Sequence, residues 1–155
     1  MTWGNPPPIK IIPTQAKLIT PEQIAGESED SHQAAYFAWC GLNQSKYPEL
    51  KWFHAIPNGG SRHKAEAIKM VATGLRGGVL DIFGPVPIAT ELGKMYAGLY
   101  IEMKRENRRK RRDGGLSEEQ LEFIAFALRM GYYVDVCYNW IEARDITIKY
   151  LELKV

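Results

Sequence analysis

The sequence predicts an α/β domain in which a small mixed sheet is flanked by helices. Two observations carry that expectation. Short runs of branched and aromatic residues, 79–83, 98–104 and 132–137, have strand length, and the middle one alternates cleanly. Between and around them lie segments with helical apolar spacing and recognisable start and stop signals.

Taken in order, residues 1 to about 26 carry five prolines (Pro6, Pro7, Pro8, Pro13 and Pro21) and are expected to form an extended arm rather than a helix. Residues 27–155 show neither an internal repeat nor a composition boundary and are read as one domain. A first helix is expected from about Glu29 to Lys46, with Ala34, Phe37, Ala38 and Leu42 as its apolar stripe and Pro48 as its stop. Lys51 to Ile56 reads as a strand, and Pro57-Asn58-Gly59-Gly60 as a turn. Ser61 can cap a short second helix that Gly74 ends.

Val79–Phe83 reads as a buried strand closed by Pro85 and Pro87, followed by a loop to about Ala97. In the next strand, Gly98–Lys104, Leu99, Ile101 and Met103 face one side, and Tyr100, Glu102 and Lys104 the other. A basic loop then runs to Asp113-Gly114-Gly115. Ser117-Glu118-Glu119-Gln120 is a capping box for a helix whose expected buried stripe is Leu121, Ile124, Ala125 and Leu128, with Gly131 as its end. Tyr132–Cys137 is expected as a strand and Ile141 to about Leu151 as a last helix.

The formal net charge is only +2, yet seven of the nine residues from Lys104 to Arg112 are Lys or Arg. Such concentration implies a focused anionic partner rather than general adhesion. No stretch is long and apolar enough to span a membrane, and the N-terminus MTWGNPPPIK lacks the features of a secretory signal. Cys40 and Cys137 have no metal-type spacing and are expected as reduced core thiols of a cytoplasmic protein. His54 and His63 have no partners at ligand spacing.

Chemistry enters with misplaced charge. Asp81 stands in an apolar run, Val79-Leu80-Asp81-Ile82-Phe83, and Glu102 in another, Leu99-Tyr100-Ile101-Glu102-Met103. Carboxylates there are costly unless they bind a cation or accept hydrogen bonds. On neighbouring strands, both could reach one hard divalent ion, with Lys104 on the same face as Glu102 to orient water or neutralise phosphate. Glu-x-Lys alone is common, and a second copy, Glu152-Leu153-Lys154, reads as a solvated helix face.

Asp81 followed by Glu102-Met103-Lys104 resembles the PD-(D/E)xK nuclease signature. EDSHQAAYFAW, YPELKWFHAIPNGG, GGVLDIF, GLYIEMK, LSEEQ and GYYVDVC, in that order from residue 29 onward, resemble the virus-type replication-repair nuclease (VRR-NUC) domain, especially its short phage and prophage members. The resemblance implies a restriction-endonuclease-like αβββαβ core and metal-dependent hydrolysis of DNA in a bacterial or phage-infected cell. It implies that Asp81 and Glu102 bind Mg²⁺ (or Mn²⁺), that Lys104 assists the water, and that Gln120 belongs to the site. It also places a first-helix glutamate, Glu29 (Asp30 if the register shifts by one), near the metal. Relatives of this type act on branched or flapped DNA, and some short members are homodimers.

The family usually has proline before the strand aspartate, where this chain has Leu80. That departure keeps a second reading open, a nucleic-acid-binding module with a degenerate site. The local chemistry of Gln120 is that of a helix cap, a role expected to preclude contact with the metal site. Glu29 also suits a first-turn position electrostatically. Arg105, Arg108, Arg109, Lys110, Arg111 and Arg112 are candidate phosphate contacts, with Asn58, Arg62 and Lys64 as a second group.

Overall fold

A computed structural model describes residues 19–57 and 64–154; for residues 64, 65 and 67 it describes the backbone alone. The helices are α1 (Pro21–Ile24), α2 (Glu29–Leu42), α3 (Lys64–Ala72), α4 (Glu118–Arg129) and α5 (Trp140–Leu151). The strands are β1 (His54–Ala55), β2 (Ile82–Gly84), β3 (Ile88–Ala89), β4 (Met95–Tyr96), β5 (Leu99–Met103) and β6 (Tyr133–Cys137). The main sheet runs β1-β2-β5-β6, antiparallel across the first two junctions and parallel between β5 and β6. It is therefore the small mixed sheet expected, with helices packed on it. No helix among the described residues is long and apolar enough to cross a membrane.

One face of this sheet carries the main core. Ile82, Leu99, Ile101 and Met103 are buried there against α2 and α5, which contribute Tyr36, Trp39, Ala143 and Tyr150. Tyr36 and Thr147 share a buried hydrogen bond of 2.9 Å that ties α2 to α5. Both cysteines are free and buried, and burial pushes the Cys40 thiol up to about 12.

Several local expectations are corrected. The proline-rich arm is not wholly extended, because Pro21 opens a short helix. Proline fits the first helical position, where its missing N–H costs nothing, and Gln23 Oε1 accepts the Thr20 N–H at 2.9 Å. α2 ends at Leu42 rather than Lys46, where the Asn43 amide binds the Trp39 carbonyl. Its buried residues are Ala35, Tyr36, Trp39 and Cys40, while Ala34 and Leu42 are exposed. Residues 34–40 are apolar all round, so periodicity could not choose among stripes. Of the strand expected over 51–56, Lys51 and Trp52 belong instead to a 3₁₀ turn, Pro48–Trp52, and His54–Ala55 is strand. The loop before Ala97 contains the β3–β4 hairpin. The turn at 57–60 and the Ser61 cap fall largely or wholly outside the described residues.

The correction that matters most is the rotation of α4. Leu121, Ala125 and Leu128 are exposed, whereas Phe123 and Ile124 are partly buried and Ala127 fully so. The Phe123 ring meets Tyr100 edge-on at 5.1 Å. The face that meets the sheet thus runs Gln120, Phe123, Ile124, Ala127, which is also helical spacing. Gln120 is carried toward the sheet on that face.

Candidate active site

β2 and β5 pair with Ile82 opposite Ile101 and Phe83 opposite Tyr100. One step further, Asp81 stands opposite Glu102, and antiparallel partners project to the same face. The Asp81 carbonyl accepts the Ile56 N–H at 2.7 Å, and its Oδ2 accepts the Met103 N–H at 2.9 Å. Main-chain contacts therefore fix the residue at the end of β2. Leu80, in the position where proline was expected, is fully buried. It packs as a core residue and leaves these contacts intact.

Glu102 lies in β5 and is only 1% exposed. Lys104 continues the β5 line, since its N–H donates to the Cys137 carbonyl at 2.9 Å. That register keeps its side chain on the Glu102 face, with Nζ 2.8 Å from Glu102 Oε1 and 3.0 Å from Gln120 Oε1. Gln120 Nε2 also donates to Glu102 Oε1.

Gln120 simultaneously closes its helix cap, accepting the Ser117 N–H at Oε1 (3.0 Å) while Ser117 Oγ accepts the Gln120 N–H (3.2 Å). The expectation that capping would exclude the site is overturned. An amide has two ends, and its oxygen can accept twice. The oxygen serves the cap and Lys104, and the nitrogen serves Glu102. Gly78 permits this closeness: a Cβ there would lie 2.6 Å from the Glu119 carbonyl oxygen, and the residue has φ +80°. The chain leading into Asp81 can thus press against the first turn of α4.

Glu102 Oε1 is doubly engaged, but Oε2 is buried without a hydrogen-bond partner. Burial, followed by the neighbouring charge of Asp81, pushes the Glu102 carboxyl up to about 7, against the opposing pull of Lys104 and Gln120. A divalent cation would supply the missing partner and offset the repulsion, and the donors are the hard oxygens that Mg²⁺ prefers. The residues fit such an ion. Among the described residues no group of three or more His, Cys, Asp or Glu side chains is gathered for a metal, so two carboxylates would carry it with water and substrate oxygens.

Glu29 is placed at the edge of this arrangement, where Oε1 accepts the Arg105 N–H at 3.0 Å. Two carboxylates, Asp81 and Glu29, thus hold the alternate amides of Met103 and Arg105 on either side of Lys104. A cleft of about 490 Å³, lined in part by Ser28, His32, Arg105 and Asn107, opens beside Glu29.

The basic residues divide by environment. Arg109 binds Glu106 at 2.7 and 2.8 Å, reaches Glu142 and covers the Tyr138 ring at 4.2 Å, so it fastens the loop to α5. Arg108 rests its stem against Gly115. Arg105, Lys110, Arg111 and Arg112 are exposed, and Arg112 has only a 3.7 Å approach to Asp113. Asn58 and Arg62 lie outside the described residues, as does the side chain of Lys64.

The sequence reading missed the second contact of Gln120 and the hold of Glu29 on Arg105. It also missed that Phe83 shares the face of Asp81, opposite Tyr100 on the Glu102 face, although a period of two along β2 contained that signal.

Among solved structures, the chain is similar to one described as a VRR_NUC domain protein, with a TM-score of 0.63 and 22% identity. The match covers 84% of this chain and 93% of the other. The chain therefore has the VRR-NUC domain fold. No family model matches the sequence, and no curated protein does.

Proposed function

We propose that the protein is a metal-dependent DNA endonuclease that hydrolyses phosphodiester bonds at Asp81, Glu102 and Lys104. The observation that carries the reading is the buried Glu102 oxygen without a partner, beside a second carboxylate and a lysine. Such a grouping is costly to a fold that does not use it. The VRR-NUC fold and the exposed arginines and lysines after β5 support a nucleic-acid substrate.

Asp81 and Glu102 would hold Mg²⁺, with Mn²⁺ as a substitute. When bound there, the cation would draw charge from the phosphate and make a bound water more acidic. Lys104, held between Glu102 and Gln120, presents its ammonium to the attacking water and to charge developing on the phosphate. Gln120 fixes both of those side chains from the rigid first turn of α4. Glu29 holds the Arg105 amide one residue beyond Lys104, steadying the turn from which the basic loop departs. Arg105, Lys110, Arg111 and Arg112 would contact phosphates, setting affinity and salt dependence rather than sequence choice.

The test is cleavage of supercoiled, linear and branched DNA with Mg²⁺ or Mn²⁺ against EDTA, for the wild type and for Glu102→Gln and Lys104→Ala. Metal-dependent cutting lost in both variants, with binding retained, is the expected result. Binding without cutting of any substrate would instead identify a nucleic-acid-binding module.

A further inference from the structure

The residues of the carboxylate face fall into successive rungs across the strands. Asp81 and Glu102 make one rung. Toward the start of β5 lies a second, His54, Phe83 and Tyr100, which are register partners on β1, β2 and β5. In the other direction Lys104 stands two residues beyond Glu102. Each step of two residues is about 6.7 Å.

Lys104 and His54 therefore flank the carboxylates from opposite sides along the strands. In an in-line displacement the attacking and leaving oxygens also stand on opposite sides of phosphorus. Lys104 serves the attacking water in the reading above, and the side left for the leaving oxygen is that of His54.

The hydrogen bonding of His54 suits it to hold a proton there. Nδ1 is 3.0 Å from the Trp52 carbonyl oxygen. A carbonyl only accepts, so Nδ1 carries a proton and donates it. Nε2 is then the one ring atom at which a second proton is taken up and released, as imidazoles do near neutral pH. The same contact and an edge-on approach to Phe83, with centroids 5.6 Å apart, orient the ring, while the residue itself is exposed. Its neighbours on the face are poorer donors. The Lys104 ammonium is engaged by Glu102 and Gln120. Burial, and then the nearby Tyr132, raises the Tyr100 hydroxyl above its ordinary value.

We propose that His54 is the general acid of the cleavage at Asp81 and Glu102, giving its Nε2 proton to the oxygen that leaves phosphorus. The proposal rests on the hydrolytic reading. The attacking water forms the new P–O bond and releases a proton to solvent. The bond to the leaving oxygen breaks, its electron pair stays on that oxygen, and the Nε2 proton joins it. The neutral imidazole then regains a proton from solvent. An alkoxide is a poor leaving group, so this transfer accelerates the bond breaking.

The test is single-turnover cleavage in Mn²⁺ of an all-oxygen DNA and of two DNAs with a bridging sulfur on one or the other side of phosphorus at the cut. A thiolate departs without a proton, so a general acid is dispensable when sulfur leaves. His54→Ala, and His54→Asn, which keeps an N–H for the Trp52 carbonyl, should cut the oxygen substrate about a hundredfold or more slowly than wild type. Both should regain near wild-type rates on the DNA whose sulfur leaves, with metal-free DNA binding unchanged. Should one variant fail to fold, the other decides. Variants as fast as wild type on oxygen, or equally slow on all three substrates, would overturn the general acid, and metal-dependent cutting by the wild type would leave the hydrolytic reading standing. A wild type that cuts none of the three would overturn both.

Discussion

Gln120 donates to Glu102 from the same amide group whose oxygen closes the cap of α4. One side chain therefore couples the start of a helix to the most deeply buried carboxylate on the sheet. Stability and chemistry should respond together when it is altered.

Gln120→Ala removes the side-chain half of the capping box and both site contacts, while Ser117 Oγ still accepts the N–H of residue 120. Thermal unfolding should show a loss of about 1 kcal/mol, as for other caps. Cleavage should fall about ten- to a hundredfold, as when a group orienting a metal ligand is removed. Stability lost with cleavage intact would show that the amide serves the helix alone.

The raised Glu102 carboxyl gives a signed pH dependence. With a folded value near 7 against an ordinary 4.5, the native state keeps a proton that the unfolded chain has released across that window. Metal-free stability should therefore fall as pH rises from 4.5 to 7, by on the order of 3 kcal/mol at most. Glu102→Gln has no carboxyl to titrate, so the difference in melting temperature between it and the wild type in EDTA should change across the same window. A pH-independent difference would contradict the assignment.

Mg²⁺ or Mn²⁺ at neutral pH should raise the melting temperature of the wild type by mass action. Asp81→Asn and Glu102→Gln should abolish that increment. An undiminished increment in both variants would place the ion elsewhere.

The two environments in the basic loop predict different phenotypes. Arg112→Ala should weaken DNA binding and reduce the salt slope by about 1 without changing the melting temperature. Arg109→Ala should lower the melting temperature only slightly, since Arg109 and Glu106 are exposed to screening solvent. Equal effects on binding from the two variants would show that Arg109 leaves its carboxylates for phosphate.

Gly78→Ala tests the approach of the Asp81 segment to α4. The left-handed backbone and the Glu119 carbonyl at 2.6 Å should together cost roughly 1–3 kcal/mol, with cleavage reduced through displacement of Gln120. Unchanged melting would show that the contact is soft.

Much of this was legible from residue order. Alternation along 98–104 set Glu102 and Lys104 on one face, and the capping box located the start of α4. The helical stripes were not legible, because residues 34–40 and 121–128 offer apolar side chains in more than one direction. Packing chose among them, seating Tyr36 against Thr147 and Phe123 against Tyr100. Asn43 and Pro48 decided the boundaries near residues 42 and 52 through hydrogen bonding and a fixed φ, which apolar periodicity does not register.

By itself the sequence determined which residues could be neighbours along one strand or one helix, since a repeat of two or 3.6 is a property of the backbone. It could thereby set carboxylates against an apolar background and a lysine beside one of them. Only the tertiary structure decided which strands lie side by side and how far α4 is rolled about its axis. Those choices follow from side-chain packing between segments distant in the chain, and they bring Gln120 to Glu102 and Glu29 to the Arg105 amide.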